Sequence, residues 1–372
     1  MKVLSIGTDR KIFEEGSSVR QRVIDYSSLF NEYYIIVYSL KSHNLPKIKQ
    51  INHNTWAIPT NSNSRLDYIK DAIEIGKQMA GIDWITTQDP FETGWAGMKL
   101  KSELGVKFNV QIHTDFINRH FRFHGILNFI RTFMAGIVLK KADSVRVVSQ
   151  RIKNSLVKKY KLMVPINVLP IFVEAKKVQS AHPAFDLHKK YPAFKKIILT
   201  ATRIEPEKDL DFSLEIFQKL LKKHKRLGYV IVGDGSERNR LEAKAKALRI
   251  DKNVVFAGWQ DDLISYLKTA DIYLSTSRYE GYGLSLIEAS ISGTPVVTTD
   301  VGVAGDILMN KINSMICPVG DERCFLESIE RLIDDKDFYN LIKKNAENIA
   351  KKIASGSKAK YLQDYKKSIL GK

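Results

Sequence analysis

Two glutamates that flank a glycine-containing loop are the residues whose types and spacing best suit chemistry. In the string "EGYGLSLIEA", Glu280 follows an expected strand and precedes a turn that the glycines permit. A helix is expected to begin near Leu284, with Glu288 about one turn inside it. The free N–H groups at its start would bind a phosphate, whereas each acid would accept hydrogen bonds from hydroxyl groups. The segment predicts a ligand with a phosphate between a sugar and a ribose; an ordinary loop and helix start with acidic residues is the alternative.

Two cations stand near the end of another expected strand. In "RIEPEK", Arg203 would end the strand and Lys208 would lie just before a helix, both at the carboxyl edge of the sheet. Such cations would neutralise a diphosphate as it leaves, with a solvated pair in a loop as the alternative. The next acids, Asp209 and Asp211, match a metal–diphosphate D-x-D motif. Because acids at a helix start also favour the helix dipole, we interpret them in that way and expect no metal site.

Short β-branched runs alternate with helical patterns, such as residues 64–80, along the whole chain. Alternation of this kind predicts parallel sheets covered by helices. Residues 335–370 are expected to be helical without a strand. The expected strands are residues 2–8, 33–39, 83–88, 107–114 and 144–149 in the first half, and 196–202, 229–235, 253–258, 271–276, 294–299 and 314–319 in the second.

The alternation breaks at residues 171–195, where prolines recur and no period is clear. The sequence therefore predicts an α/β chain of two doubly wound, Rossmann-like domains, residues 1–170 and 196–350, joined by that linker. Such sheets bind ligands at the carboxyl ends of their strands, so two of them facing each other would form a cleft. The final helix, residues 351–372, is expected to pack back on the first domain.

The composition excludes several classes of protein. The 372 residues are 44% apolar, which suffices for two cores and argues against a disordered chain. No apolar run approaches the roughly 20 residues that span a bilayer, and "MKVLSIGTDRK" is too soon charged for a signal peptide. Two cysteines, Cys317 and Cys324, are too few for a disulfide framework and indicate a reducing compartment. We therefore expect a cytoplasmic protein.

Basic residues outnumber acidic ones by 59 to 41, and the excess is clustered. Residues 119–161 hold eleven basic side chains and one acid, and residues 351–372 hold seven and one. Clusters of this size indicate a polyanionic surface, either nucleic acid or anionic lipid, unless they are only a solvated face. No strand motif of stacking aromatics and no recognition helix is visible, so nucleic acid is not expected.

Aromatic residues are interleaved with the first basic cluster, and such a mixture suits a membrane interface. The helix expected here has a narrow polar stripe at Asn128, Arg131 and Ala135, with apolar residues elsewhere. We expect peripheral binding to an anionic membrane surface, and a buried helix with a basic exit is the alternative. The residues expected on the membrane side are Arg119, Phe121, Arg122, Phe123 and Arg131.

Together, the two chemistry-bearing loops resemble those of the retaining nucleotide-sugar glycosyltransferases of family 4, the "group 1" glycosyltransferases, which have the GT-B fold. The spacing of Glu280 and Glu288 matches the E-x7-E of that family, and "RIEPEK" is similar to its Arg-plus-Lys signature. The resemblance is dense over residues 196–317 and patchy in the first half. Further similar stretches are "VVSQRIKNSL" at 147–156, "GDGSERNRLE" at 233–242, the run at 253–281 and "HTDF" at 113–116.

This resemblance implies a role for individual residues. Glu280 would hold hydroxyls of the donor sugar, and Glu288 would hold those of the ribose. Arg203 and Lys208 would bind the diphosphate, and His113 would lie across the cleft near the sugar and phosphate. The other donor-binding positions would be the backbone of Gly281, Tyr282, Gly283 and Leu284 and, in the first loop, Gly16. Where the family often has a glycine pair in that loop, this chain has one glycine followed by two serines.

The predicted activity is the transfer of a hexose-type sugar from a nucleotide sugar to a hydroxyl acceptor, with retention and without a metal or other cofactor. The acceptor is expected to be a lipid-linked glycan or glycolipid at the cytoplasmic membrane face, where the enzyme would be peripherally bound. Since Glu280 is assigned to sugar binding, no side chain is an evident nucleophile, and a front-face mechanism is expected. The alternatives are a nucleotide-sugar epimerase or hydrolase of the same fold and a non-catalytic polyanion-binding protein.

Overall fold

The computed structural model describes residues 1–354 and 356–372, apart from the side chains of residues 350–352 and 354. Our expectations for residue 355 and for those four side chains fall outside the described part of the chain. They include the charges of Lys351 and Lys352 in the carboxyl-terminal basic cluster. The described chain divides into two compact units. Unit 1 contains Met1–Pro170 and Ser357–Lys372, and unit 2 contains Ile171–Gly356.

Strands and helices alternate in both units. The strands are β1 (Lys2–Gly7), β2 (Glu32–Val37), β3 (Lys49–Asn52), β4 (Thr55–Pro59), β5 (Trp84–Thr87), β6 (Lys107–Ile112), β7 (Ser144–Val147), β8 (Ile166–Val168), β9 (Lys196–Ala201), β10 (Leu227–Val232), β11 (Val254–Gly258), β12 (Ile272–Ser275), β13 (Val296–Thr299) and β14 (Met315–Cys317). The α-helices are α1 (Ser18–Ser27), α2 (Tyr68–Lys77), α3 (Glu92–Leu104), α4 (Arg119–Arg122), α5 (Ile126–Leu139), α6 (Gln150–Tyr160), α7 (Ala175–Ser180), α8 (Leu187–Lys190), α9 (Leu210–Lys223), α10 (Arg238–Ala247), α11 (Leu263–Thr269), α12 (Leu284–Ile291), α13 (Glu322–Asp334), α14 (Lys336–Ala354) and α15 (Lys358–Leu370).

Unit 1 is built on an eight-stranded sheet in the order β3-β4-β2-β1-β5-β6-β7-β8, parallel except for β3, which runs antiparallel to β4. The chain order reverses between β1 and β5, which makes the sheet doubly wound. The central strands are apolar and buried, as parallel strands are when helices cover both faces. The five strands expected here are present. We did not expect β3, β4 and β8, which are short and carry no continuous apolar run.

The carboxyl-terminal helix α15 belongs to unit 1. Tyr365 and Ile369 are buried in its core, and the Tyr365 ring stacks on Tyr26 with 4.0 Å between ring centroids. Arg146 is buried beside this helix, where its Nη1 donates to Gln111 Oε1 at 2.6 Å. Of the segment 351–372 that we expected to pack back on the first domain, residues 357–372 belong to unit 1, whereas residues 351–354 end α14 in unit 2. Arg146 belongs to the interior and not to a basic surface.

Unit 2 contains a six-stranded, fully parallel sheet in the order β11-β10-β9-β12-β13-β14. Counted within the unit, this is the order 3-2-1-4-5-6 of nucleotide-binding doubly wound sheets. The six strands expected in the second half are all present. The order reverses between β9 and β12, so the carboxyl ends of these two strands border the crevice in which such sheets bind ligands.

Residues 171–195 do not form a separate linker. They fold with unit 2 and include α7 and α8, on which Ala175, Val178 and Leu187 are buried. These helices have six and four residues. A segment so short spans fewer than two turns of helix, so no apolar period can be recognised among the prolines.

Cys317, at the end of β14, and Cys324, in the first turn of α13, are joined by a disulfide. We expected two cysteines to be too few for a disulfide framework and inferred a reducing compartment. The inference of a reducing compartment from the number of cysteines is therefore wrong, because both cysteines of the chain are paired.

Candidate functional site

Two loops leave the sheet of unit 2 on either side of its switch point. β9 leads into residues 202–209, and β12 leads into residues 276–283. The Thr276 hydroxyl ties the loops together, since it lies 3.1 Å from Lys208 O and 3.0 Å from Asp209 O as a donor to both. This edge of the sheet is where the sequence places the acids and cations singled out above.

Lys208 and Glu280 meet across these loops. Lys208 Nζ lies 2.6 Å from Glu280 Oε1, and the two side chains are only 11% and 17% exposed. The Ser277 hydroxyl donates to the same carboxylate oxygen at 2.9 Å. An ammonium has three N–H groups and a carboxylate has two oxygens, so both groups keep hydrogen-bonding capacity for a ligand.

The glycine loop after Glu280 is braced by the loop after β13. Val303 N donates to Tyr282 O at 3.0 Å. A Cβ on Gly302 would lie 2.7 Å from that oxygen, so only glycine permits this approach. Gly283, with φ at +87°, turns the chain into α12. The brace at 302–303 was not singled out from the sequence.

Helix α12 begins at Leu284, as the sequence predicts. Among the described residues, no acceptor takes a hydrogen bond from the backbone N–H of Leu284 or Ser285. Free N–H groups of this kind are the ordinary state of a helix start, and they suit an anion.

Glu288 lies on α12 and is half-buried, and its burial raises the pKa of its carboxyl. No described residue donates a hydrogen bond to it. Tyr273 lies close to both glutamates: its burial raises the pKa of its phenol, and the charges of Glu280 and Glu288 raise it further. The phenol itself donates to Ala201 O at 2.8 Å. The charges of the two spaced acids therefore act on the same buried phenol.

Arg203 lies at the rim of the same site. Its side chain is 69% exposed, and its Nη2 lies 3.1 Å from Glu207 Oε1. Burial raises the pKa of the neighbouring Tyr279 phenol to about 12, and the charge of Glu207 contributes to that rise. The charge of Arg203 lowers the pKa of this phenol, and the charge of Glu280 raises it. The second predicted cation is therefore near the Lys208–Glu280 pair.

The structure adds Arg278, which sequence reasoning did not single out. Its backbone N–H donates to Glu207 O at 2.8 Å. Its guanidinium binds the Asp209 carboxylate twice, with Nε 2.8 Å from Oδ2 and Nη2 3.0 Å from Oδ1. Asp209 is buried and has a left-handed backbone with φ at +50°. The only sequence signal was an arginine inside "SRYEG", and nothing in its spacing indicates a partner 69 residues away.

The two acids of the D-x-D string have different partners. Asp209 is bound by Arg278, whereas Asp211 accepts from Arg240 Nη1 at 2.8 Å and from Lys244 Nζ at 2.9 Å. Hydrogen bonds from these two cations lower the pKa of the Asp211 carboxyl to about 2. Both carboxylates are thus held by cations of unit 2.

Two of the predicted site residues lie in unit 1. His113 directly follows β6 and is half-buried. Burial and the charges of Arg146 and Arg22 lower the pKa of its imidazole to about 3, so the ring is neutral at pH 7. Gly16, just before α1, has φ at +77°, and a Cβ there would meet no atom within 4 Å. Backbone conformation, and not crowding, therefore favours glycine at this turn.

Two of the five residues expected on the membrane side are engaged inside unit 1. Phe121 is only 7% exposed and stacks on Phe91 with 5.7 Å between ring centroids. We expected this residue to face a membrane, and that expectation is wrong because α4 turns its ring into the core. Arg131 is partly buried and donates through Nε to Glu92 Oε1 at 2.8 Å.

Helix α5 exposes large apolar side chains on the side that does not pack on the core, where a surface helix is usually polar. Its buried residues are Thr132, Ala135, Val138 and Leu139. The exposed large apolar side chains of this region, which we call the α5 apolar face, are Phe123 (71%), Ile126 (82%), Leu127 (53%), Phe129 (47%), Ile130 (47%) and Phe133 (70%). The helix is therefore not buried, and its most apolar side lacks a covering element among the described residues.

Positive charge accompanies this face. The Arg122 guanidinium carbon lies 5.2 Å from the ring centroid of Phe129 and 5.4 Å from that of Phe123. Lys140 and Lys141, at the carboxyl end of α5, are exposed. Within residues 1–354 and 356–372, no helix combines the length and the apolar character needed to cross a membrane.

Two family models match the chain. The model described as "Glycosyl transferases group 1" matches residues 186–349, and the model described as "Glycosyltransferase Family 4" matches residues 30–177. The first match contains the Lys208–Glu280 pair, and the second contains most of unit 1.

Curated relatives share about a quarter of their residues with this chain over the aligned parts. The alpha-monoglucosyldiacylglycerol synthase of Streptococcus pneumoniae is 28% identical over 253 residues, which are 65% of this chain and 57% of that protein. The UDP-Gal:alpha-D-GlcNAc-diphosphoundecaprenol alpha-1,3-galactosyltransferase of Escherichia coli is 26% identical over 197 residues, 51% of this chain and 50% of that protein. The chain thus spans about half the length of these relatives.

Solved structures resemble the fold over nearly the whole chain. HepE from Anabaena, in complex with UDP and glucose, has a TM-score of 0.77 at 16% identity, with 100% of both chains covered. Sucrose-phosphate synthase from Thermosynechococcus elongatus has a TM-score of 0.81 at 18% identity, with 98% of each chain covered. Two Rossmann-like units of this kind are the fold of the GT-B glycosyltransferases. With family matches over both units, the chain belongs to the group 1 glycosyltransferases of GT-B type.

Proposed function

We propose that this chain is a retaining, metal-independent glycosyltransferase that moves a hexose-type sugar from a nucleoside diphosphate to a hydroxyl group. The observation that carries the proposal is the Lys208–Glu280 pair at the switch point of unit 2, with 2.6 Å between Nζ and Oε1. A cation that can hold a diphosphate thus lies one hydrogen bond from an acid that can hold sugar hydroxyls. A nucleotide sugar is a ligand in which those two groups are adjacent.

Other groups of the site suit the rest of the donor. The N–H groups at the start of α12 suit diphosphate oxygens, and Arg203 adds a second cation at the rim. Glu288 is half-buried without a described donor, so its oxygens are available to the two ribose hydroxyls. The backbone of Gly281 and Tyr282, between the two glutamates, lies beside the sugar.

In the chemical step, the diphosphate departs from the anomeric carbon and negative charge develops on the leaving phosphate. Lys208, Arg203 and the α12 N-terminus stabilise that charge, and removal of one such preorganised contact typically costs roughly 10²–10³ in turnover. Glu280 accepts hydrogen bonds from Lys208 and Ser277, so we assign it to sugar binding and not to nucleophilic attack. The acceptor oxygen bonds to the anomeric carbon on the face that the diphosphate leaves, and its proton passes to the departing phosphate oxygen, so the anomeric configuration is retained.

Metal independence rests on Arg203 and Lys208, which would supply the positive charge in place of a divalent ion. Asp209 and Asp211, the acids of the D-x-D string, accept hydrogen bonds from Arg278, Arg240 and Lys244. A divalent ion bound there would have to break these ion pairs. The positive charge that the diphosphate requires comes instead from the side chains of the site.

We assign the acceptor to lipid-linked glycans or glycolipids. One relative is named for a monoglucosyldiacylglycerol, and another is named for a sugar on diphosphoundecaprenol. An acceptor of this kind remains in a membrane, so an enzyme that uses it has to reach the membrane surface.

We infer a peripheral location at the membrane, on the cytoplasmic side that the sequence predicts, and the α5 apolar face supports the contact with the membrane. Exposed apolar patches of this size mark interaction sites on otherwise water-soluble proteins. Arg122, Lys140 and Lys141 lie on or beside the face, and basic residues interleaved with aromatic ones suit anionic lipid headgroups. The attraction would therefore be partly apolar and partly electrostatic.

The donor is identified first, by the nucleotide sugar that raises the melting temperature most in a panel. Transfer to a lipid-linked acceptor is then measured for Glu280→Gln and Lys208→Ala, each of which should lose roughly 10²–10³ in turnover. Glu327→Gln is the matched control, because Glu327 is an exposed acid paired with Arg323 at 2.7 Å on α13.

The proposal is wrong if both site variants transfer sugar as well as the wild type does. Product analysis without acceptor separates the alternative activities, because an epimerase converts the nucleotide sugar without a second substrate. Conversion under that condition would replace transfer by epimerisation.

A further inference from the structure

We propose that Arg278 and Asp209 form a latch that positions Lys208 for the donor diphosphate. The inference rests on the proposed function for what Lys208 binds, and it adds two positioning residues to that site. The sequence motifs did not single out Arg278, and they gave Asp209 only the role of an acid at a helix start.

The first observation is the backbone of Asp209. This residue lies between Lys208 and the start of α9, with φ at +50° and ψ at +45°, in the left-handed region. Residues other than glycine adopt that region at a cost, which is smaller for Asp and Asn. The Asp209 side chain makes no capping hydrogen bond to α9, and the residue ends a short 3-10 turn at residues 206–208, where its backbone N–H donates to Pro206 O at 3.2 Å.

The second observation is what binds the Asp209 carboxylate. The Asp209 side chain is 9% exposed, and the Arg278 guanidinium binds it at 2.8 Å and 3.0 Å. A planar guanidinium fits a carboxylate in this two-bond arrangement, which an ammonium cannot reproduce. A buried carboxylate without that partner would be poorly solvated.

The third observation places Lys208 between two residues that Arg278 holds. The Arg278 backbone N–H donates to Glu207 O at 2.8 Å, and its side chain binds Asp209. The Thr276 hydroxyl donates to Lys208 O at 3.1 Å. The backbone on both sides of Lys208 is thus bound to residues 276–278, which directly precede Glu280. The latch therefore fixes the distance between the cation and the acid of the site.

Without the latch, the turn before α9 can relax and carry the Lys208 ammonium away from its place beside Glu280. A displacement of about 1 Å in a binding group can cost up to about a hundredfold in activity. We therefore expect Arg278→Ala to weaken nucleoside diphosphate binding by roughly tenfold to a hundredfold. Arg278→Lys should bind the nucleoside diphosphate nearly as weakly as Arg278→Ala does, because one ammonium cannot make both hydrogen bonds to the Asp209 carboxylate.

The decisive variants are at residue 209. Asp209→Ala loses the partner and keeps a Cβ in the left-handed conformation, so it should bind as weakly as Arg278→Ala. Asp209→Gly adopts the same backbone without that cost but also lacks the carboxylate, so it should bind as weakly as Asp209→Ala if the carboxylate holds the turn. In an Asp209→Gly background, Arg278→Ala should have little further effect, since no carboxylate is left to hold.

The measurement is isothermal titration calorimetry with whichever of UDP, GDP and ADP raises the wild-type melting temperature most. KM and kcat are measured on the same variants, and melting temperatures confirm that each is folded. Arg323→Ala is the matched control, since Arg323 is an exposed arginine on α13 that pairs with Glu327. It should bind as the wild type does.

Three results would overturn the latch or its basis. If Lys208→Ala loses affinity while Arg278→Ala and Asp209→Ala keep it, the latch is wrong and the proposed function stands. If Arg278→Ala weakens nucleotide binding by the same factor in the wild type and in the Asp209→Gly background, Arg278 contacts the ligand directly and does not position Lys208. If none of the three nucleotides binds the wild type, the proposed function fails and the latch fails with it.

Discussion

Removal of the α5 apolar face should abolish the salt-resistant part of membrane binding. Phe123→Ser/Ile126→Ser/Phe133→Ser changes its three most exposed side chains, which are 71%, 82% and 70% exposed. Full burial of one Phe or Ile side chain stabilises by about 1.5–3 kcal/mol, so each of these contributes on the order of 1–2 kcal/mol on insertion. The triple variant should therefore lose about 3–6 kcal/mol of partitioning free energy, which is more than a hundredfold in affinity.

The assay is co-sedimentation with anionic and neutral vesicles at low and high salt. Salt shortens the Debye length from ~10 Å at 0.1 M to ~3 Å at 1 M, so it removes the contribution of the basic residues and leaves the apolar one. The wild type should retain part of its binding at 1 M salt, and the triple variant should retain none. Phe121→Ser is the informative comparison, because Phe121 is buried against Phe91. That variant should lower the melting temperature without a specific loss of vesicle binding.

Two outcomes would refute this reasoning. Equal binding of the triple variant and the wild type at 1 M salt would show that the α5 apolar face does not enter the lipid. Negligible binding of the wild type to every vesicle at low salt would show that no membrane surface is involved, and another partner would have to cover the face.

Three other tests concern titratable groups and metals. Transfer should persist in excess chelator, and a complete loss restored by Mg²⁺ or Mn²⁺ would contradict the metal-independent site. Asp211→Asn should leave transfer unchanged and lower the free energy of unfolding at pH 7 by about 1 kcal/mol, after a discount for partial exposure. Because Arg240 and Lys244 lower the folded pKa of Asp211 from 3.8 to about 2, this stability is present above about pH 4 and is lost as the pH falls through 2. Equal differences in urea unfolding at pH 7 and pH 2 would disprove it. His113 should remain neutral between pH 5 and 8, so an imidazole NMR titration near pH 6.5 would show that the ring is more solvated than the structure implies.

The parallel strands could be predicted because burial on both faces leaves an uninterrupted apolar run in the sequence. This signal is absent from β3, β4 and β8, which are short and partly exposed, and from α7 and α8, which are too short for a helical period. Strand ends were less accurate than strand positions, and several expected strands included polar residues or glycines beyond the last paired residue, such as residues 233–235 after β10.

The residues of the candidate site also differ in whether the sequence could predict them. Lys208 and Glu280 could be anticipated because each follows a strand end within a local pattern, of charged residues around Lys208 and of glycines after Glu280. The pairing of Arg278 with Asp209 could not, since it joins residues 69 positions apart and no periodicity encodes it. Phe121 and Phe123 were assigned alike although one is buried, because the four-residue helix α4 is too short for a period that would separate its buried side from its exposed side.

The position of α15 has a consequence for the order in which the protein can fold. All of unit 2 is synthesised after Pro170 and before Ser357, so the ribosome completes it while unit 1 still lacks its last helix. Until then Tyr26 has no stacking partner, and Arg146 lies beside a surface that Tyr365 has not covered. Folding in such a chain does not simply proceed from the amino terminus. The later unit can reach its native state first, and the earlier one is finished only when residues 357–372 leave the exit tunnel.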